Sequence, residues 1–108
     1  MVYTHEEIRK AVIPVAEKHG LWAVYLFGSY ARGTATENSD IDLLIDTTGT
    51  GIKSLLQLAA VYCDLESALG KSVDVITTSA LEQAARMPSD AQFNKNIWSE
   101  RVNLYAVA

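Results

Sequence analysis

Three aspartates stand where the surrounding sequence is apolar. Asp40 and Asp42 sit two residues apart in Asp40-Ile41-Asp42-Leu43-Leu44-Ile45, and Asp74 stands alone in Val73-Asp74-Val75-Ile76. Alternation along a strand puts Asp40, Asp42 and Leu44 in one row, with Ile41, Leu43 and Ile45 in the other. Carboxylates this close repel, and burying them without a counter-charge costs several kcal/mol, roughly. A strand end open to water would relieve that cost. A divalent cation relieves it better, because Mg²⁺ takes hard oxygen donors, commonly one or two carboxylates together with substrate phosphates. If the Asp74 strand lies beside the first, three carboxylates converge. Two ions about 3.5–4 Å apart on such a triad would clamp the attacking and leaving oxygens of a phosphoryl displacement. Upstream, Gly28-Ser29 can offer backbone N–H groups and a hydroxyl to phosphate oxygens, since glycine lets the backbone approach closely. Arg32 can neutralise a further phosphate oxygen. Alone, a Gly-Ser pair after a strand is an ordinary turn; with the carboxylates, it fits one reaction.

The elements that must position these residues follow from spacing. Thr4 and Glu7 have capping-box spacing and open a helix with Ile8, Val12 and Val15 on one face. Pro14 inside that pattern predicts a kink or two shorter helices, and His19-Gly20 closes the segment. Residues 22–27, Trp-Ala-Val-Tyr-Leu-Phe, form a continuous apolar run suited to a central strand covered on both faces. Residues 28–39 are a polar connection, residues 40–45 a second strand and residues 47–51 a loop. A longer helix carries Leu55, Leu58, Tyr62, Leu65 and Leu69 at helical spacing, with Gly70 as its terminator. Residues 73–76 make a third strand. Ser79 caps a brief helix running through Arg86, which Met87-Pro88-Ser89 breaks, and the tail from Asp90, with Phe93, Ile97, Val102 and Tyr105, reads as a last helix. The order α-β-β-α-β-α-α gives an α/β (α+β) chain: a small mixed sheet with helices packed on it.

A chain of 108 residues suits one compact domain spanning residues 1–108 and can bury about two-thirds of its unfolded surface. Its net charge is −4, and its nine basic residues are scattered. Broad nucleic-acid binding needs clustered cations to displace phosphate counterions, so it is disfavoured. A bound metal could supply positive charge for a small phosphate ligand instead. A single cysteine, Cys63, forms no internal disulfide and points to a reducing compartment. The polar start and the lack of an apolar run near 18 residues, roughly, argue against a secretory signal or a membrane span. A cytoplasmic protein is expected.

The residues described resemble a known family. Gly28-Ser29, followed after ten residues by Asp40-Ile41-Asp42, is similar to the signature of the DNA polymerase beta-like nucleotidyltransferase superfamily. The fuller run, from Phe27-Gly28-Ser29-Tyr30-Ala31-Arg32-Gly33 through Ser39-Asp40-Ile41-Asp42-Leu43-Leu44, resembles its minimal nucleotidyltransferase (MNT) branch, with the MntA-like antitoxins. The likeness continues through Gly70-Lys71-Ser72-Val73-Asp74-Val75-Ile76 and the tail Ile97-Trp98-Ser99-Glu100-Arg101-Val102-Asn103-Leu104-Tyr105. Four fixed positions in a chain this long arise by chance about once in a thousand sequences. The resemblance implies the polymerase beta-like fold, ATP as substrate and Mg²⁺, with two ions expected. An acceptor hydroxyl attacks the α-phosphorus and pyrophosphate leaves. It implies that Gly28 and Ser29 hold phosphates, Asp40 and Asp42 hold metal, and Asp74 completes the metal site and helps deprotonate the acceptor; Arg32 is added as a phosphate contact. In this branch many members are antitoxins that transfer AMP to a tyrosine of a helical HEPN-domain toxin. A chain this short is expected to carry no acceptor domain of its own, which independently favours a protein partner; an oligomer is left open.

Two further readings belong to other classes. A catalytically slow binding module would neutralise a toxin by covering it, yet would have no need for buried negative charge. A small-molecule transferase acting on an aminoglycoside-like acceptor would want a second domain. Other conspicuous residues read as structural. His5 and His19 are solvent-exposed or capping, Cys63, Leu55, Leu58 and Leu65 are core, and Asp46 is a solvated charge at a strand end. Trp98 and Tyr105 are core or partner surface.

Overall fold

In the computed structural model, described for residues 2–52, 54–84 and 91–107 and as backbone alone at residues 84 and 91–94, the first helix, α1, runs unbroken over His5–His19. Thr4 accepts from the Glu7 N–H while the Glu7 carboxylate accepts from the Thr4 N–H, a complete capping box. Gly20 ends it in the left-handed conformation at φ 64°. Pro14 lies within the helix rather than dividing it. Ile8, Val12 and Val15 are buried, each contributing about 1.5–3 kcal/mol.

The strands are β1 (Ala23–Phe27), β2 (Ile41–Asp46), β3 (Val73–Thr77) and β4 (Val102–Ala106), and the remaining helices are α2 (Gly28–Arg32), α3 (Leu55–Leu69), α4 (Thr78–Ala84) and α5 (Ala91–Glu100). They build one mixed sheet in the order β3-β2-β1-β4. β1 pairs antiparallel with β2 and β4, and β2 pairs parallel with β3. The parallel pair needs a crossover, and α3 provides it. Ile41, Leu43 and Ile45 face a core shared with Ile8, Val12, Val61, Leu65 and Tyr30. Leu44 faces the other way, onto Phe27, Leu81 and Ile97. The sheet is therefore covered by α1 and α3 on one side and by α4 and α5 on the other.

Several expectations need correction. The polar connection after β1 begins with the helix α2, and the tail is a helix followed by a strand, because Val102–Ala106 finds a hydrogen-bonding partner in β1. Trp22 stands just outside β1 and is 45% exposed. On α3 the buried line is Val61, Leu65 and Leu69; Leu58 is half-buried, but Leu55 belongs to a first turn lying outside the core and is 85% exposed. Cys63 is exposed, because two residues from both Val61 and Leu65 is about 200° around the helix. Thr77, not Ser79, caps α4: its hydroxyl accepts from the Ala80 N–H at 3.1 Å. The expected helix end at Arg86, the Met87-Pro88-Ser89 break, Asp90 and the Phe93 side chain lie outside the described residues.

Candidate active site

The candidate residues meet where three strands begin or end. Phe27, the last residue of β1, is the ladder partner of Asp42, and Asp42 is the ladder partner of Asp74. Partners in adjacent strands point to the same face, about 4.8 Å apart. Asp42 shares its row with Leu44, so the carboxylates lie on the α4–α5 side of the sheet. Asp40 immediately precedes β2 and is exposed, Asp42 is half-buried, and Asp74 is exposed on the edge strand β3.

Electrostatics mark Asp42 as the stressed member. Its pKa is raised from 3.8 to about 6, first by burial, then by the Asp74 charge, by a carboxyl–carboxyl hydrogen bond with Asp74 and by the Asp40 charge, while Arg32 pulls it down. Burial and two neighbouring carboxylates disfavour the charged form of Asp42, so the site holds more negative charge there than it readily tolerates.

Gly28 is where the backbone comes closest to this pair. Its φ is +73°, and a Cβ there would lie 2.1 Å from Asp42 Oδ2. Only glycine meets both demands. Beyond Gly28 the chain turns directly into α2, whose residues Ser29 and Arg32 line a cleft of about 420 Å³ with Phe27, Gly28, Asp42, Asn96, Ile97 and Glu100. Arg32 Nη1 donates to Glu100 Oε2 at 3.0 Å. The α5 wall of this cleft was not anticipated from sequence. Asn96 and Glu100 are one helical turn apart, which places both on one face of α5, but nothing local says which element that face will meet.

Gly28, Ser29, Arg32 and Asp42 thus share a cleft, Asp74 stands beside Asp42, and Asp40 acts on Asp42 through its charge. Among the described residues no group of three or more His, Cys, Asp or Glu side chains is arranged to hold a metal ion. That does not disqualify Mg²⁺, which takes one or two carboxylates and completes its octahedron with water and substrate phosphates. Two carboxyl groups side by side in one ladder, one of them half-buried, are a donor set that a hard cation fits.

The residues read as structural do not line the cleft. His5 is half-buried, with Nε2 2.6 Å from the Tyr30 carbonyl oxygen, which ties α1 to α2. His19 Nε2 lies 2.7 Å from Asp64 Oδ2 and Lys18 Nζ donates to the same oxygen at 2.9 Å, tying α1 to α3. Asp46 accepts from the backbone and hydroxyl of Thr48. Trp98 meets Tyr25 edge-on at 6.3 Å, and the Arg101 guanidinium lies 4.7 Å from the Trp98 ring centre. Tyr105 packs against the larger core.

This combination of mixed sheet, glycine-serine turn and paired carboxylates has known relatives. The chain belongs to the nucleotidyltransferase domain family, whose pattern it matches over residues 7–105. It is 47% identical over 75 residues to a Methanocaldococcus jannaschii protein, MJ0435, provisionally named a protein adenylyltransferase, covering 69% of this chain and 78% of that one. It is 41% identical over 66 residues to the protein adenylyltransferase MntA of Thermococcus cleftensis, covering 61% and 65%. A crystal structure of a toxin–antitoxin with AMP-PNP superimposes with a TM-score of 0.67 at 26% identity, over 92% of this chain and 73% of that chain. A minimal nucleotidyltransferase structure superimposes with the same TM-score, 0.67, at 29% identity, over 93% and 95%.

Proposed function

We propose that this nucleotidyltransferase moves AMP from ATP to a hydroxyl group of a protein partner, a HEPN-type toxin, with residues 1–108 acting as one catalytic domain in the cytoplasm. The observation that carries the reading is the ladder pairing of Asp42 with Asp74 beside Gly28, at the edge of a cleft large enough for a nucleotide. The names of its relatives and the AMP-PNP of the similar toxin–antitoxin structure support adenylyl transfer to protein.

Each residue then has a task. Gly28 and Ser29 present backbone N–H groups and a hydroxyl to the phosphate chain, and Arg32 binds a further phosphate oxygen with its planar guanidinium. Asp40, Asp42 and Asp74 would hold Mg²⁺, two ions in the reading above, which supplies positive charge to the phosphates and to the oxygens that exchange at phosphorus. The cleft lies on the α2–α5 side of Asp42, whereas Asp74 is exposed on the edge strand. The nucleotide therefore enters beside α2 and α5, and the acceptor approaches from the β3 edge, where a carboxylate oxygen of Asp74 takes the hydroxyl proton. The acceptor oxygen bonds to the α-phosphorus as the bond to pyrophosphate breaks.

Incubation with the partner, ATP and Mg²⁺ should raise the partner's mass by one or more AMP units, and Asp40→Ala or Asp42→Ala should abolish the change while the fold persists. Full transfer by either variant removes the assignment. Neutralisation of a toxin by Asp42→Ala without any mass change would favour the binding-module reading instead.

A further inference from the structure

The Arg32–Glu100 ion pair joins the α2 wall of the cleft to its α5 wall, and both side chains line the same space as Gly28, Ser29 and Asp42. Among the described residues lining the cleft, Arg32 is the one cation. A nucleoside triphosphate needs that cation, because Asp42 and its acidic neighbours repel it. The guanidinium is engaged by a carboxylate oxygen, an anionic acceptor that competes for the same N–H donors a phosphate oxygen would use.

We propose that Glu100 is a built-in competitor for the phosphate chain: it captures Arg32 until a polyphosphate displaces it, and so sets the affinity of the cleft for nucleotide. This rests on the nucleotide reading of the cleft. The strength of the pair suits the task. The Arg32 and Glu100 side chains are 49% and 37% exposed, and ion pairs so open to water hold weakly. A polyphosphate carries several charges and can meet the guanidinium with two oxygens at once, so the exchange runs towards the ligand. Glu100 reaches solvent once released. The pair also links α2 to α5, so the same exchange frees the α5 wall from the α2 wall as nucleotide enters.

The test measures dissociation constants for Mg-ATP and for inorganic tripolyphosphate by calorimetry, using the wild type, Glu100→Gln, Arg32→Gln and the double variant. Glu100→Gln is isosteric and half-exposed, which spares the fold. It should tighten both ligands about threefold or more, and Arg32→Gln should weaken both. In the Arg32→Gln background the gain from Glu100→Gln should vanish, since there is no longer a cation to release. Unchanged or weaker binding by Glu100→Gln, beside measurable wild-type binding, overturns the inference and leaves the nucleotide reading standing. An equal gain in the Arg32→Gln background also overturns it, because Glu100 would then merely repel the ligand. No binding of either ligand to any of the four proteins removes the nucleotide reading and the inference together.

Discussion

Replacing Gly28 with alanine should separate the placement of one carboxylate from the stability of the fold. An L-residue held in the left-handed region costs about 1–2 kcal/mol. The added Cβ would also lie 2.1 Å from Asp42 Oδ2, where ordinary contact begins at 3.4 Å. The obstructing atom is the tip of a half-buried side chain, so the carboxylate turns aside and the clash adds little to the backbone cost. Turning moves a carboxylate oxygen by about 1 Å from its place beside Asp74, and a displacement of that size near a reacting centre costs about 100-fold in rate. Gly33 supplies the control: its φ is +78°, and a Cβ there meets nothing within 4 Å among the described residues. Gly28→Ala and Gly33→Ala should therefore both lose about 1–2 kcal/mol in urea unfolding followed by circular dichroism. Only Gly28→Ala should lose transfer of labelled AMP to the partner, by about 100-fold or more, at a temperature where both remain folded. Full transfer by Gly28→Ala, or an equal loss in both variants, would refute the argument that this glycine exists to leave room for Asp42.

Asp42→Asn should abolish transfer yet stabilise the protein at pH 8 by about 1 kcal/mol, after discounting the shift for the water that reaches this half-buried group. The folded pKa, about 6, exceeds the ordinary 3.8, so the wild type is favoured below pH 4, loses that advantage as pH rises through 6, and stays flat above; urea titrations across this range should show the slope in the wild type and not in the variant. Tyr30→Phe should be neutral or stabilising by up to about 1 kcal/mol in the same assay, because the Tyr30 hydroxyl is buried without a hydrogen-bond partner among the described residues. Asp64 is held below its ordinary pKa by hydrogen bonds from His19 and then Lys18; its contribution is present above pH 4 and lost as pH falls through the lowered value, so Asp64→Asn should destabilise at pH 7 and converge with the wild type in acid.

The site was legible in the sequence wherever it depends on local period. Asp42 shares a face with Leu44 because strand side chains alternate, although Asp40 falls just outside β2, and Thr4 with Glu7 caps α1 because both groups lie within one turn. Ladder pairing between Asp42 and Asp74 could be expected only as a conditional, since it depends on which strands become neighbours. What stayed hidden was non-local. β4 looks like the continuation of a helix until β1 supplies hydrogen bonds, and Glu100 reaches Arg32 across 68 residues of sequence. α2 was hidden for another reason: it is five residues long and has no side-chain cap, so it carries neither signal by which a helix announces itself. Leu55 shows the remaining weakness, because helical spacing names a stripe of residues without fixing how far along it the core extends, and Cys63 lies off that stripe altogether.

Parallel pairing of β2 with β3 has a consequence for how this protein can change. The separation of Asp42 from Asp74 is set by main-chain hydrogen bonds between neighbouring strands, not by the stretch of chain that connects them. Insertions around Gly49 and Thr50, beyond the last pair of the β2–β3 ladder, would leave the two acids side by side. A single residue added inside either strand, upstream of its aspartate, would send that carboxylate to the opposite side of the sheet. The crossover between the acids is therefore free to lengthen, while the few residues that carry them tolerate no slip at all.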